Sequence, residues 1–271
     1  MEAIKPYLKA KKSLGQNFLT SIPARIKIVE AGHLKPNDTV LEIGPGRGFL
    51  TEELLSTGTK IIAVEKDNSL TSFLKGKFSN EIKSEQLTLI NEDILKFEIS
   101  SCKLLAASYK LIANIPYNIT GAILEKYLSQ KNQPTQMVVL VQKEVAERVV
   151  ARDKKESILS LAVKAYGNPK IVSRVKRGSF NPIPNVDSAV LSIENISRKN
   201  FINDRHEKMF FKLIKSGFAH KRKFLISNIR EAFPSVNFTL LFKEQNLSEK
   251  VRAEDVSLVN WITLSEKITK L

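Results

Sequence analysis

Cysteine is nearly absent: Cys102 is the only one in 271 residues. One thiol builds no internal disulfide framework and is too little for a metal cage. Histidine is scarce too, and His33, His206 and His220 are scattered without ligand spacing. A metal-free protein is expected. No run approaches the ~20 apolar residues of a membrane span. The opening Met1-Glu2-Ala3-Ile4-Lys5-Pro6 lacks the apolar stretch and cleavage site of a signal peptide. The expectation is a soluble cytoplasmic chain with no membrane partner. Acidic residues are outnumbered, 28 Asp and Glu against 43 Lys and Arg, for a net charge of +15. The excess concentrates in residues 140–230, which hold 20 basic and 8 acidic side chains. Such a field draws polyanions. In a domain-sized chain it points to nucleic acid more often than to a generic solubilising surface. Charge alone separates neither RNA from DNA nor either from an anionic membrane surface.

A 42% hydrophobic content is enough for a full core plus a smaller second unit. The basic segment Lys9–Leu19 reads by itself as a solvated arm anchored by Phe18. A helix follows, with Ile22, Ile26 and Val29 on one face, closed by Gly32 and Pro36-Asn37-Asp38. Thr39-Val40-Leu41-Glu42-Ile43 is a short buried strand running into Gly44-Pro45-Gly46-Arg47-Gly48 and a helix from Phe49. Strand, glycine-rich turn and helix form the phosphate- or nucleotide-binding opening of a doubly wound α/β sheet. The spacing departs from G-x-G-x-x-G and lacks the Gly-Lys-Ser/Thr of a P-loop, so the turn alone is weak evidence.

The next strand, Lys60-Ile61-Ile62-Ala63-Val64, adds support by ending in Glu65. An acid about 20 residues past the glycine turn can bind both hydroxyls of a ribose; alone, Glu65 would be a helix cap or a surface carboxylate. A third strand, Gln86–Asn91, delivers Glu92-Asp93. Asp93 either accepts a hydrogen bond from an adenine amine or is an ordinary turn acid. The fifth strand, Met137–Val141, leads to a charged amphipathic helix over Lys143–Val150. This alternation predicts a parallel sheet. Its carboxyl edge would carry the glycine turn, Glu65, Asp93 and Asn114.

The fourth strand, Lys110-Leu111-Ile112-Ala113, breaks at Asn114-Ile115-Pro116-Tyr117. Pro116 holds Ile115 extended, which turns a backbone carbonyl outward. Amide side chain, carbonyl and aromatic ring together suit a flat heterocycle with an exocyclic amine, the oxygens accepting from the NH2 and Tyr117 stacking. An Asx-turn with Tyr117 packed as core is the plainer reading. Downstream, Ser157–Ala165 is helical, while Ile171–Val175 and Ser188–Ile193 are strands. Between those strands, Phe180-Asn181-Pro182-Ile183-Pro184 sets a rigid loop behind an aromatic that is either core or a second wall for a stacked base. From Arg198 the strands stop. Asn203 or Asp204 would cap a helix through Phe218, His220-Lys221-Arg222-Lys223 form a basic corner, and short helices with Trp261 as core run to Leu271. Two domains are expected, 1–197 and 198–271.

Several of these stretches share order and spacing with one family. They are Lys12-Ser13-Leu14-Gly15-Gln16-Asn17-Phe18-Leu19, Glu42–Gly48, Ala63-Val64-Glu65-Lys66-Asp67, Asn114–Thr120, Val141–Arg148, Phe180–Ser188 and Phe218–Leu225. The chain resembles the rRNA adenine N6,N6-dimethyltransferases over nearly its whole length, and within them the small-subunit (16S) enzymes. The resemblance implies a class I S-adenosylmethionine-dependent fold with a seven-stranded, mostly parallel sheet and a small C-terminal helical domain contacting RNA. It implies dimethylation of N6 on two adjacent adenosines near the 16S 3′ end, with 16S rRNA or the immature 30S subunit as partner, a role in ribosome biogenesis, and a monomer. It places the cofactor S-adenosyl-L-methionine on Asn17, Leu19, Gly44, Glu65, Asp93 and Asn114. The catalytic set is then Asn114, Ile115, Pro116, Tyr117 and Phe180. The family's small-subunit motif has Leu where this chain has Ile115, and more often Gln-Arg at His220-Lys221. A 23S adenine methylase, a non-catalytic nucleic-acid binder on the same scaffold and, more distantly, a nicotinamide dehydrogenase are the alternatives.

Overall fold

The computed structural model describes residues 9–102 and 108–270. The opening Met1–Pro6 stretch and the final Leu271 lie outside them. By their internal contacts the residues form two units, Met1–Ala146 with Lys170–Ile196, and Glu147–Pro169 with Ser197–Leu271.

The first unit is built on apolar runs. Strands β1 (Phe18–Leu19), β2 (Thr39–Ile43), β3 (Lys60–Glu65), β4 (Leu87–Asn91), β5 (Lys110–Asn114) and β6 (Gln136–Gln142) alternate with helices. These are α1 (Ile22–Ala31), α2 (Phe49–Ser56), α3 (Asn68–Lys77), α4 (Ser79–Lys83) and α5 (Thr120–Ser129). After α6 (Lys143–Val150) and α7 (Ile158–Lys164) come β7 (Asn168–Val175), β8 (Phe180–Asn181) and β9 (Ser188–Glu194). Seven strands make one sheet in the order β4-β3-β2-β5-β6-β9-β7. The pairs β4–β3, β3–β2, β2–β5 and β5–β6 are parallel, and β9 runs antiparallel to β6. Sheets covered by helices on both faces need continuous apolar strands, and Leu41, Ile62, Leu111, Ile112, Val138 and Val139 are each 0% exposed. Chain order reverses at β2, which is flanked by β3 and β5, so a crevice opens beyond its carboxyl end.

Helix α1 turns a different face inward than expected. Ile22 and Ile26 are 55% and 38% exposed, while Ala24, Ile28, Val29 and Ala31 are buried. The inward stripe runs through two alanines, whose small side chains let the helix approach the sheet.

Residues 147–169, expected with the sheet domain, group with the C-terminal helices instead. The reason lies in Tyr166. Its ring meets Phe201 at 5.5 Å and Phe211 at 6.0 Å, and its hydroxyl donates to Glu207. Asn200 adds a bond to the Ala165 carbonyl at 2.8 Å. The unit's other helices are α8 (Asp204–Gly217), α9 (Leu225–Ala232), α10 (Phe238–Glu244) and α11 (Leu258–Lys270). Asn203 caps α8 by accepting from the His206 N–H, and Trp261 is fully buried. The basic corner His220–Lys223 is an exposed turn between α8 and α9. Asn228 braces it by donating to the carbonyls of Gly217 and His220.

Glu42 sits inside β2, 1% exposed, accepting from the Thr51 hydroxyl at 2.8 Å. Burial pushes its carboxyl up to about 8, with the Thr51 hydrogen bond only partly opposing it. The native state therefore holds a proton that the unfolded chain releases near 4.5. Stability should fall as pH rises from 4.5 to about 8, by up to about 1.4 kcal/mol per pH unit, and level off above. Glu42→Gln, which mimics the protonated acid, should flatten that part of the curve; urea unfolding at pH 6 and 8.5 measures it.

Candidate active site

Four strand ends converge on one cleft. Gly44 follows β2, Glu65 ends β3, Asp93 lies just past β4 and Asn114 ends β5. All four line a cavity with an empty volume of about 960 Å³, open mouth included, together with Asn17, Ile115, Pro116 and Tyr117. Leu19 lines the adjoining space with Gly44, Gly46 and Asn114.

Glu65 is the buried anchor, 5% exposed. Burial raises its pKa, while the N–H groups of Asp67 and Gly46 favour the carboxylate. Those N–H groups donate to Oε1 at 2.8 Å and to Oε2 at 3.1 Å, which locks both oxygens toward the cavity. Asp93 accepts from Lys66 Nζ at 2.9 Å and from the Leu95 N–H at 3.0 Å. The Lys66 bond comes first among the causes that hold its pKa below the usual carboxylate range. Behind it, Lys126 donates to the carbonyls of Ile94, Leu95 and Phe97 and so fixes the loop that follows.

Asn114 Nδ2 donates to the Asn17 carbonyl at 3.1 Å. With the donor end engaged there, the amide presents Oδ1 as the acceptor of the turn. Ile115 extends the β5–β6 pairing by donating its N–H to Leu140 O at 3.3 Å. Pro116, at φ −57° and ψ 129°, ends the strand and starts a tight turn. Tyr117 is half-buried, and its hydroxyl shares a 2.7 Å hydrogen bond with Ser188. Burial raises the Tyr117 pKa, the Ser188 bond opposing it.

Phe180 is not brought to this cleft. It is 2% exposed within the hydrophobic core and pairs with Leu19 across the small β1–β8 ladder. The ladder spends the ring on packing, so as described it offers no face to a stacked base. Lys66, Lys126 and Ser188 escaped the sequence reading because each acts on a partner distant in the chain. The one available signal was the Glu-Lys-Asp run at residues 65–67.

Two glycines of the turn do different jobs. Gly48, at φ +76°, caps α2, and a Cβ there would lie 2.5 Å from the Phe78 ring. Gly44, at φ +62°, meets nothing within 4 Å. It is a bare stretch of backbone facing the cavity, as close approach of a nucleoside-bearing ligand requires. With a buried acid that can accept from a ribose and an amide oxygen that can accept from an amine alongside, the residues present fit S-adenosylmethionine. No helix among the described residues is long and apolar enough to cross a membrane. Among them, no group of three or more His, Cys, Asp or Glu is placed to hold a metal ion.

Sheet order, the antiparallel β9 and this edge are those of a class I S-adenosylmethionine-dependent methyltransferase. The profile of the family "Ribosomal RNA adenine dimethylase" matches residues 7–270. The "Ribosomal RNA small subunit methyltransferase A" of Dehalococcoides mccartyi is 41% identical over 94% of this chain and 87% of that protein. Its namesake from Fusobacterium nucleatum is 38% identical over 94% of this chain and 96% of that one. Among solved structures, a dimethyladenosine transferase from Plasmodium falciparum superposes with a TM-score of 0.80 at 26% identity, covering 93% of this chain and 98% of that one. The 23S rRNA methyltransferase ErmE shares the fold, with a TM-score of 0.74 at 22% identity over 93% of this chain and 99% of its own. The chain belongs to the ribosomal RNA adenine dimethylase family, whose methyl donor is S-adenosylmethionine.

Gly48→Ala should cost about 2–4 kcal/mol of stability, from left-handed backbone strain plus overpacking. Gly44→Ala should cost only about 1 kcal/mol yet weaken cofactor binding at least tenfold. Thermal unfolding and calorimetric titration with S-adenosylhomocysteine separate the two.

Proposed function

We propose that this chain dimethylates N6 of two adjacent adenosines near the 3′ end of 16S rRNA, acting on the small ribosomal subunit during its assembly. The observation that carries the reading is the Asn114–Asn17 hydrogen bond. It fixes an amide oxygen at the strand end, beside the Ile115 main chain and the Tyr117 ring. The names borne by the relatives direct the choice of RNA.

An adenine N6 lone pair is delocalised into the ring and is a poor nucleophile. Hydrogen bonds from N6–H to Asn114 Oδ1 and to the Ile115 carbonyl draw electron density back onto nitrogen and aim it. Tyr117 stacks on the extruded base, its hydroxyl tethered to Ser188 so that the ring keeps its plane. Gly44, Glu65, Asp93, Asn17 and Leu19 hold the cofactor, whose sulfonium supplies an electrophilic methyl group and a neutral leaving group. The Asn114–Tyr117 turn contains no group that titrates near neutral pH, so the proton shed by N6 goes to water. Placement does the work. After the first transfer N6 keeps a single hydrogen to donate, so one of the two acceptor contacts is given up and the base must rotate before the second.

Asn114→Ala should cut methyl transfer at least about a hundredfold without unfolding the protein, read by label incorporation and circular dichroism. Tyr117→Ala should raise the KM for RNA while leaving cofactor affinity within about twofold, since stacking contributes about 1–3 kcal/mol per base. The target is tested with labelled S-adenosylmethionine and undermethylated 30S particles beside naked 23S rRNA. N6,N6-dimethyladenosine in 16S rRNA is expected. Label in 23S alone would overturn the choice of RNA.

A further inference from the structure

The arm Lys11–Phe18 is no solvated tail. Ser13 through Phe18 line the cavity opposite the strand ends. What holds them is a carboxylate two residues past Glu65. Asp67, its side chain 2% exposed, accepts from Lys11 Nζ at 2.8 Å and from Gln16 Nε2 at 3.2 Å. Gln16 Oε1 in turn accepts the Lys11 N–H at 2.7 Å, which closes the arm into a loop. Burial works against the Asp67 charge, but the Lys11 and Gln16 hydrogen bonds, with the Ser69 N–H, outweigh it and hold its pKa below the usual range. The carboxylate stays ionised at neutral pH and the grip is charge-assisted.

Two connections give this grip a consequence for the reaction. The Asp67 N–H donates to Glu65 Oε1 at 2.8 Å, so one residue orients the ribose acid through its backbone and the arm through its side chain. Next to Gln16 stands Asn17, whose carbonyl receives Asn114 Nδ2. The arm also sits directly against the far side of the turn: a Cβ on Gly15 would lie 2.8 Å from Asn118 Oδ1. An unbroken run of contacts therefore leads from Glu65 through Asp67, Gln16 and Asn17 to Asn114.

We propose that Asp67 is a positioning residue for methyl transfer: by latching Lys11 and Gln16 it holds the arm as the cofactor's second wall and sets Asn17 under Asn114. The inference deepens the methyltransferase reading and rests on it. Asp67 also caps α3, accepting from the Ser69 N–H at 3.0 Å, so alanine there would damage the helix. Asp67→Asn keeps a cap acceptor and removes the charge, while Lys11→Ala and Gln16→Ala leave the cap untouched.

The test joins steady-state kinetics with hydrogen exchange of residues 13–18 in the cofactor-free protein. Charge-assisted bonds are about twice as strong as neutral ones. Each of the three variants should therefore raise the KM for S-adenosylmethionine about five- to tenfold and, because Asn17 no longer holds the Asn114 amide, lower kcat about three- to tenfold, with an unchanged melting temperature. Exchange in the arm should quicken in each. The Lys11→Ala/Asp67→Asn double variant should be no worse than Asp67→Asn alone, because the two residues share one interaction. Unchanged KM and exchange in Lys11→Ala and Gln16→Ala would overturn the proposal. So would additive losses in the double variant, or an Asp67→Asn defect confined to melting temperature. Should the wild-type protein methylate no RNA, the functional reading fails by itself; arm exchange and cofactor titration still decide the latch.

Discussion

The hydrogen bond between Asn114 and Asn17 joins residues 97 apart in sequence and fixes which end of the Asn114 amide faces the cleft. An amide has two chemically opposite ends, and a reaction that needs an acceptor fails if the donor end faces the substrate. Giving Nδ2 to a backbone carbonyl settles the matter without a charged group. The carbonyl can serve only if the arm lies along the sheet edge. The β1–β8 ladder anchors one end of the arm, pairing Phe18 with Asn181 and Leu19 with Phe180, and the Thr20 N–H reaches Ser179 O at 2.8 Å. Phe180 belongs to this anchor, as core and ladder partner of Leu19.

Electrostatics around the cleft are arranged in layers. Beneath the glycine turn lies Glu42, protonated at neutral pH through burial. Glu65, its neighbour in the field, has its burial opposed by two backbone N–H groups aimed at its oxygens. Farther out, Asp93 is kept ionised chiefly by Lys66. Ionising Glu42 would put a second charge behind Glu65 in a poorly solvated space, the arrangement that pushes one carboxylate of a pair toward neutrality. The inner acid serves packing and hydrogen bonding, and the outer acids remain available to polar ligand groups.

Much of this was legible in the sequence, for identifiable reasons. Strands buried on both faces must be apolar throughout, so Thr39–Ile43, Lys60–Glu65 and Lys110–Asn114 announced themselves, and their C-terminal polar residues fell on one edge by topology. Helix α1 misled because its inward stripe uses Ala24 and Ala31, which carry little hydrophobic signal, while Ile22 and Ile26 face outward. The two-residue strands of the β1–β8 ladder are too short to show a period, and their partners are remote. Lys11 and Gln16 read as part of a solvated arm and Asp67 as one residue of a family stretch; only folding brings the first two onto the third. Tyr166 likewise gave no hint that it would draw residues 147–169 to the C-terminal helices.

The Ile115 position separates what the turn's side chains do from what its backbone does. The small-subunit motif that the chain resembles has Leu there, and in the proposed mechanism a β-branched residue beside the reacting atoms invites the idea of altered target choice. The residue is 1% exposed, its side chain buried and its N–H committed to Leu140 O. What it can offer a base is its carbonyl, whose direction is set by the β5–β6 pairing before it and Pro116 after it. Exchanging one buried C4 side chain for another alters packing under the turn by about 1.5 kcal/mol or less and leaves the acceptor in place. The proposed mechanism then leaves selection among RNAs to surfaces outside the turn, where the basic excess of residues 140–230 lies.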